Sequence, residues 1–241
     1  ALATRPRGDV SMPGGDRGVN SPPTPVARHG QLSVVTNQLV NSQGEAIQLR
    51  GMSTHGLQWY GWGSCINDSA LDALATDWGI DILRVSLYVQ EGGYETDPVG
   101  FTAQADHIID GLIERGLYAL IDWHQLDPGD PWYNLERAKT YFAHMTARYG
   151  ATPNVLYEIA NEPSGVDWAK IKAYAEVLVP FIRERDPDGI VIVGTEDWSS
   201  FGISGSSGPE SVINNPLDFD NIMYSFHFYA ASHQQKYRDA L

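Results

Sequence analysis

Short apolar runs alternate along the chain with longer segments in which apolar residues return every three or four positions. The first pattern predicts buried strands, and the second predicts helices with one buried face. The run at 118–123 is apolar almost throughout, as expected for a parallel strand that is covered on both faces. We predict strands at 48–52, 80–87, 118–123, 155–161, 190–194 and 222–228. We predict helices at 69–78, 102–115, 135–149, 168–185, 209–214 and from 232 onward.

A β-hairpin is predicted before the first central strand, because apolar segments at 31–35 and 38–40 flank a Thr-Asn turn. The alternation of strands and helices after it is typical of a doubly wound sheet or of a (β/α)8 barrel. About six βα units can be counted, whereas a complete barrel has eight and typically about 250 residues. We therefore predict an α/β fold, an incomplete (β/α)8 TIM barrel with an N-terminal β-hairpin, over residues 30–241.

Residues 1–29 differ from the rest of the chain. They are rich in Pro, Gly, Arg and Asp and show no hydrophobic period, which is typical of a disordered tail or linker. The Pro-rich stretch at 21–25 is interpreted as an extended spacer.

The composition of the chain argues against some classes of binding partner. The net charge of −14 argues against nucleic acid, which needs clustered Lys and Arg. No apolar run approaches the roughly 18 residues of a membrane span, so no membrane partner is expected. Cys65 is the only cysteine, so no intrachain disulfide can form. The seven Trp and twelve Tyr fit either ordinary packing or a cleft in which aromatic faces stack on sugar rings.

Polar and aromatic residues recur where the predicted strands end. In a barrel, the carboxyl ends of the strands meet at one face, where the chemistry takes place. No dinucleotide loop, phosphate loop, nucleophile elbow or paired-Cys metal motif is present. The residues at the strand ends are His55, Trp59, Tyr60, Tyr88, Asp122, Trp123, His124, Asn161, Glu162, Glu196, Asp197, Trp198, His227, Phe228 and Tyr229.

Among these residues, Asn161 and Glu162 give the clearest chemical signal. An amide beside an acid suits glycoside hydrolysis, because the amide can hold the sugar 2-hydroxyl while the acid protonates the leaving oxygen. Glu158 lies inside a predicted strand and is expected to pair with Arg84. Asp122 has a structural interpretation as well, and a lone strand-end His is more often structural than catalytic.

The motifs together resemble those of glycoside hydrolase family 5, in particular its bacterial endoglucanases (cellulases). The segments that carry the resemblance follow the family's order, between residues 31 and 241. They are LRGMSTHG at 49–56, LRVSLY at 83–88, DWH at 122–124, YEIANEP at 157–163 and HFY at 227–229.

The resemblance implies a role for each matching residue near the scissile bond. Glu162 would be the general acid/base, and Asn161 would bind the 2-hydroxyl of the adjacent sugar. Arg84 would support the carboxylates electrostatically. His227 would orient Glu162, and Tyr229 would donate a hydrogen bond to the nucleophile.

The resemblance also implies contacts along the sugar chain. His124 and His55 would touch the sugar next to the scissile bond, and Trp59 and Tyr88 would stack on sugars or contact their hydroxyls. It implies endo-acting hydrolysis of β-1,4-glucan (cellulose) with retention of configuration. The implied protein is secreted, monomeric at full length, and needs neither a cofactor nor a metal.

The nucleophile that the resemblance implies is a Glu roughly 25 residues past Tyr229, one βα unit further on, and thus beyond Leu241. Glu196 precedes the sixth predicted strand and is not expected to replace it. We therefore expect residues 1–241 alone to hydrolyse little substrate. We also expect poor stability, because an open sheet exposes unpaired edges.

Three alternatives stay open at this point. The first is a non-catalytic glycan-binding protein that retains the barrel fold. The second is another glycosidase of the same family, such as a mannanase, xyloglucanase or licheninase. The third is an unrelated barrel enzyme that uses Glu162 as a simple base.

Overall fold

The structure is a computed structural model, and it describes residues 22–205 and 207–239. A two-stranded antiparallel hairpin precedes a six-stranded parallel sheet with the order β3-β4-β5-β6-β7-β8. The predicted hairpin is confirmed, and a strand lies within or overlaps each of the six predicted ranges. The predicted bounds are wrong for three of them, because the strands within 155–161 and 222–228 end at residues 158 and 224 and the first central strand begins at residue 51. The strands are β1 Ser33–Val35, β2 Gln38–Val40, β3 Gly51–Ser53, β4 Ile82–Tyr88, β5 Tyr118–His124, β6 Val155–Glu158, β7 Val191–Val193 and β8 Ile222–Tyr224.

Helices connect the strands and cover the outer face of the sheet. Three of the longer helices begin at an Asn or Asp whose side chain accepts a hydrogen bond from a free backbone N–H of the first turn, namely Asn67, Asp97 and Asp167. Short 3-10 segments lie at Trp59–Cys65 and Pro131–Asn134. The helices are α1 Pro25–His29, α2 Asp68–Thr76, α3 Pro98–Glu114, α4 Leu135–Tyr149, α5 Trp168–Arg183, α6 Glu196–Ser199, α7 Glu210–Ile213 and α8 Gln235–Asp239.

The register of the sheet places the polar residues of neighbouring strands side by side. Ser86 pairs with Asp122, which pairs in turn with Glu158, and Tyr88 pairs with His124. Because side chains alternate between the two faces of a strand, residues two apart on one strand share a face. These polar residues therefore share the face away from the covering helices.

Two apolar clusters hold the sheet in place. The smaller one lies at the amino ends of the strands, where Leu32 beside the hairpin packs with Tyr118, Leu156 and Ile190. The Tyr118 hydroxyl donates to the Gly30 carbonyl at 2.6 Å and ties the hairpin to β5. The larger cluster fills the layer between sheet and helices, and its fully buried members include Leu71, Leu87, Ile108, Ile109, Ile121, Phe142, Ile171 and Leu178.

The sheet is open at both sides. β3 and β8 each pair with one strand among the residues described, and all three residues of β3 are exposed while those of β8 are half-buried. By contrast, every residue of β6 is buried. No helix in the described part of the chain is both long and apolar enough to span a bilayer.

The expectation of a disordered tail up to residue 29 is wrong for residues 25–29, which form α1. Thr24 caps this helix, and the backbone N–H of Val26 donates to the Gly116 carbonyl at 3.0 Å. Arg28 pairs with Asp81 at 2.7 Å. These contacts reach across the sequence, so local composition could not reveal them. Residues 22–24 precede this helix without regular secondary structure, and residues 1–21 of the predicted tail lie outside the described residues.

Candidate active site

Arg84 is the centre of a charged cluster at the carboxyl ends of β4, β5 and β6. Its Nε donates to Glu158 Oε2 at 2.6 Å, and its Nη2 lies 2.9 Å from Asp122 Oδ2. Nη2 also donates to Asn161 Oδ1 at 2.7 Å. Burial alone would lower the pKa of Arg84, but the charges of Asp122 and Glu158 raise it above its ordinary value. The guanidinium therefore stays charged and fixes three neighbouring side chains.

Glu158 is a buried carboxylate, as its place inside an apolar strand predicted, and its pairing with Arg84 is confirmed. Burial would raise the pKa of Glu158, but the charge of Arg84 and the neighbouring His227 hold it below its usual range. Ser225 adds a hydrogen bond to Oε1 at 3.1 Å. Glu158 is thus a buried anion that helps to hold Arg84 in position.

Glu162 and His227 form a direct acid–base contact. His227 Nδ1 lies 2.6 Å from Glu162 Oε1, and Nε2 lies 3.9 Å from Glu158 Oε1. Burial would lower the pKa of His227, but these two carboxylates raise it to about 9. Glu158 is too distant for a good hydrogen bond, so it acts mainly through its charge, while Glu162 is directly bonded.

Backbone contacts from the α6 turn hold this pair in place. The His227 N–H donates to the Ser199 carbonyl at 2.8 Å, and the Ser199 hydroxyl donates to the Asn161 carbonyl at 2.6 Å. Ser199 is itself held in a left-handed conformation with φ 55°. The turn after β7 therefore links the strand ends that carry Glu162 and His227.

His124 is oriented by a buried carboxylate. Its Nδ1 lies 2.6 Å from Asp122 Oδ2, so Nδ1 donates and the opposite ring nitrogen points away from the cluster. The ring stacks on Tyr88 with centroids 4.0 Å apart. Asp122, which the sequence left with a structural interpretation, therefore positions a ring at the mouth.

Four of the predicted sugar-contacting residues form one continuous row of rings. Tyr88 packs on His124 at one end and on Trp59 at 4.9 Å on the other side. Trp59 in turn packs on His55 at 4.6 Å. His124 lies beside Arg84, with Nη1 and Nδ1 3.4 Å apart, and His55 also approaches Tyr88 at 6.3 Å, so the rings form one compact group at the ends of β3, β4 and β5.

Tyr229 is not brought to the charged cluster. Its side chain is 63% exposed, and its ring meets the edge of His233 at 5.6 Å. Tyr229 follows β8, which has no further strand beside it among the described residues to direct the segment inward.

The structure adds residues that the site prediction did not name. Ser225 bonds to Glu158 but lies in a run that looked like a plain apolar strand. Trp62 packs on His55 at 4.9 Å, and its only sequence signal is an aromatic residue soon after a strand end. Trp198, which was noted at its strand end, is 52% exposed at the same end of the sheet.

Glu196 is committed to a structural contact. Its Oε2 accepts a hydrogen bond from the Trp168 backbone N–H at 3.1 Å, and the Ser211 hydroxyl donates to its Oε1. This agrees with the prediction that Glu196 is not the nucleophile. In residues 22–205 and 207–239, no three His, Cys, Asp or Glu side chains group as metal ligands. The absence of a metal or cofactor stays a prediction.

Known proteins match this chain closely over most of its length. Residues 40–240 match the family model described as cellulase (glycosyl hydrolase family 5). Endoglucanase MaCel5A from Microbulbifer sp. is 57% identical over 218 residues, which cover 90% of this chain and 42% of that protein. Endoglucanase E-5 from Thermobifida fusca is also 57% identical, over 90% of this chain and 46% of its own length. The chain thus spans less than half the length of these two relatives.

A solved structure of a relative has the same fold as the described part of this chain. The catalytic domain of Thermobifida fusca endoglucanase Cel5A, in complex with cellotetraose, superposes with a TM-score of 0.88 at 56% identity. The match covers 90% of this chain and 71% of that one. The open six-stranded sheet is therefore an incomplete (β/α)8 TIM barrel, as the sequence predicted. The chain belongs to glycosyl hydrolase family 5, the cellulase family.

Proposed function

We propose that this protein hydrolyses internal β-1,4 bonds of glucan chains such as cellulose, with retention of configuration at the anomeric carbon. The observation that carries the proposal is the Glu162–His227 contact at 2.6 Å. It stands beside an arginine-centred cluster and a row of rings suited to sugars. The endoglucanase relatives and the cellotetraose complex of one of them support this choice of substrate.

In the proposed reaction, Glu162 acts first as an acid and then as a base. It gives its proton to the oxygen of the departing sugar while a second carboxylate attacks the anomeric carbon and forms a glycosyl ester. Glu162 then takes a proton from water, and the resulting hydroxide equivalent displaces the carboxylate from the anomeric carbon. His227, bonded to Glu162 Oε1, would hold the carboxyl group towards the glycosidic oxygen.

Asn161 supplies a free donor at the point where the sugar would lie. Its Oδ1 is engaged by Arg84, which fixes the orientation of the amide. Its Nδ2 is buried and has no hydrogen-bond partner among the described residues. A buried donor without a partner is costly unless a ligand satisfies it. The 2-hydroxyl of the bound sugar is the proposed acceptor.

The attacking carboxylate is proposed to come from a Glu that follows residue 241. Glu158 and Asp122 are engaged by Arg84, and Glu196 holds the start of α5. The solved relative is longer than this chain, which covers 71% of it. A strand beside β8 would also give Tyr229 a carboxylate to donate to.

The setting of the enzyme is also a proposal. We infer a secreted protein that acts as a monomer on a polysaccharide and uses no cofactor. Residues 1–21 would then serve as a linker or tail outside the catalytic domain. The acidic surface, with a net charge of −14, suits a neutral glucan better than a polyanion.

The test compares three single substitutions, at two positions, in the full-length protein. Glu162→Gln removes the proton donor and is expected to lower kcat on carboxymethyl cellulose by a factor on the order of 10²–10⁴. Glu114→Gln removes a charge from an exposed residue at the C-terminal end of α3 and should leave kcat unchanged. Glu162→Ala should regain activity on an aryl cellobioside with a good leaving group when azide is added.

Three outcomes would overturn the proposal. Unchanged turnover in Glu162→Gln would reject the acid/base assignment. Azide products of inverted configuration, read by proton NMR, would reject the retaining mechanism. Binding of cellulose without any hydrolysis by the full-length wild-type protein would leave a glycan-binding protein instead of an enzyme.

A further inference from the structure

The row of rings at the mouth does not end at His55. Trp62 packs edge-on against His55 at 4.9 Å, and Tyr60 packs on Trp62 at 5.2 Å. The side chain of Trp62 is 44% exposed, and that of Tyr60 is 86% exposed. The two rings therefore add to the row beyond His55 and present apolar faces to solvent.

The backbone under these rings is arranged to present them outward. Tyr60 has φ 51° and Gly61 has φ 71°, so the segment turns through left-handed conformations that cost a tyrosine energy. Gly63 packs tightly, since a Cβ there would lie 2.7 Å from the Leu57 carbonyl oxygen. The Gly63 N–H also donates to that same carbonyl at 3.2 Å. The turn is therefore strained and anchored, and it exposes apolar rings to water. This arrangement indicates that a ligand covers the rings.

An exposed tryptophan on another part of the fold provides the contrast. Trp78 lies between α2 and the amino end of β4, whereas the site residues lie at or beyond the carboxyl ends of the strands, and Trp78 is 68% exposed. No aromatic ring packs against it among the described residues, whereas Trp62 continues an existing row. Single exposed apolar residues are common and carry no functional signal. Continuity with the cleft separates Trp62 from Trp78.

We propose that Trp62 and Tyr60 form an additional subsite that stacks one glucosyl unit of a β-1,4-glucan chain. This unit lies further from the scissile bond than the units that contact Trp59 and Tyr88. The inference rests on the proposed function, because it assumes that a glucan occupies the row. A flat pyranose face is the fitting occupant, since it covers an aromatic ring without requiring a charged partner.

The subsite predicts a dependence on chain length. A disaccharide that fills the cleft next to Glu162 does not reach Trp62, so its affinity is independent of that ring. A longer chain gains the extra contact. Removing the ring therefore weakens binding of long oligosaccharides alone and lowers their preference over short ones.

The experiment measures binding in a Glu162→Gln background of the full-length protein, so that no ligand is consumed. Isothermal titration calorimetry with cellobiose, cellotetraose and cellohexaose compares Trp62→Ala with the matched control Trp78→Ala. We expect Trp62→Ala to lower the affinity for cellohexaose by about tenfold, the size of one lost aromatic stacking contact. Affinity for cellobiose should be unchanged, and Trp78→Ala should match the parent with every ligand.

A conservative variant and a substitution at a second position show whether a loss of affinity arises from misfolding. Trp62→Phe retains a stacking face and should recover most of the cellohexaose affinity. Tyr60→Ala, which changes the more exposed ring, should weaken cellohexaose binding in the same direction. An equal loss for all three sugars in Trp62→Ala, or no loss for any, overturns the subsite. Failure of the parent to bind any cello-oligosaccharide rejects the proposed function as well, and it is recognised before any variant is compared.

Discussion

The middle of the sheet and its two edges are built differently. Every residue of β6 is buried, and β5 is buried at all but one position. The edge strand β3 is exposed along its whole length, and β8 is half-buried. The charged cluster around Arg84 stands on the middle strands together with Tyr88 and His124, whereas His55, Trp59 and His227 stand on segments that follow the edge strands β3 and β8.

β3 and β8 are edge strands because this sheet is an incomplete barrel, and further strands would cover them. Under the proposed function, the charged cluster and the rings also meet two different requirements. Electrostatic groups must be fixed to a fraction of an ångström, and a buried, fully paired sheet supplies that rigidity. An aromatic ring that stacks on a sugar needs only an exposed face, so a turn at the end of the sheet can carry it. The comparison also indicates which substitutions should damage folding and which should affect only recognition.

The strongest test of the comparison removes the charge at the centre. Arg84→Met leaves Asp122 and Glu158 buried without their counter-charge, and the free energy of unfolding should fall by about 3–5 kcal/mol. The matched control, Arg28→Met, breaks the Arg28–Asp81 pair, in which Arg28 is 44% exposed, and should cost at most about 1 kcal/mol. Urea unfolding followed by circular dichroism measures both. Equal losses would show that the centre is no more dependent on its ion pairs than the surface.

The second test removes packing instead of charge. Ile121 on β5 is fully buried, and Ile121→Ala should cost about 2–5 kcal/mol because it leaves a cavity. Met52 on the edge strand β3 is 41% exposed, and Met52→Ala should change the free energy of unfolding by about 0.5 kcal/mol or less. The same urea titrations apply, on the 241-residue chain, because a closed barrel in a longer protein would cover β3. A loss at Met52 as large as that at Ile121 would mean that β3 is covered in solution.

The third test concerns the contact that bridges centre and edge. His227 has a folded-state pKa of about 9, raised from the ordinary value of 6.5. Its pairing with Glu162 and Glu158 therefore stabilises the fold fully below about pH 6.5 and is lost as the pH rises through 9. We expect the free energy of unfolding to fall by about 1–3 kcal/mol across this window.

A pair of histidine variants isolates this effect. His227→Gln should abolish the loss between pH 6.5 and 9, because the titrating group is gone. His107→Gln, which changes an exposed histidine on α3, should retain it. Urea unfolding at a series of pH values gives the curve, and nitrogen NMR of the imidazole reads the titration directly. A pH-independent wild type would contradict the assignment.

The sequence predicted the framework well where local pattern and tertiary packing agree. Helix α4 spans Leu135–Tyr149, the range that its apolar period indicated, because the face that the period marks is the face that the core buries. The run 155–161 was read as one strand, but β6 ends at Glu158. Beyond that point the chain turns to deliver Asn161 and Glu162, and an apolar pattern carries no sign of the turn.

The sequence predicted only part of the candidate site, because some of its contacts join segments that are distant along the chain. A charged Glu158 inside an apolar strand demands a partner, so its pairing with Arg84 followed from burial alone. The contact of His227 with Glu162 was available only through the resemblance to a family. Helix α1 and the place of Trp62 depend on contacts between distant segments, which no local window of sequence contains.

The hairpin that closes the amino ends of the strands has a practical consequence. Leu32, Tyr118, Leu156 and Ile190 form their own apolar cluster there, at the opposite end of the sheet from Arg84 and Glu162. The packing that supports the domain is therefore separate from the candidate site. If the proposed function holds, loops at the carboxyl ends of the strands should be exchangeable to change the polysaccharide preference without disturbing this cluster.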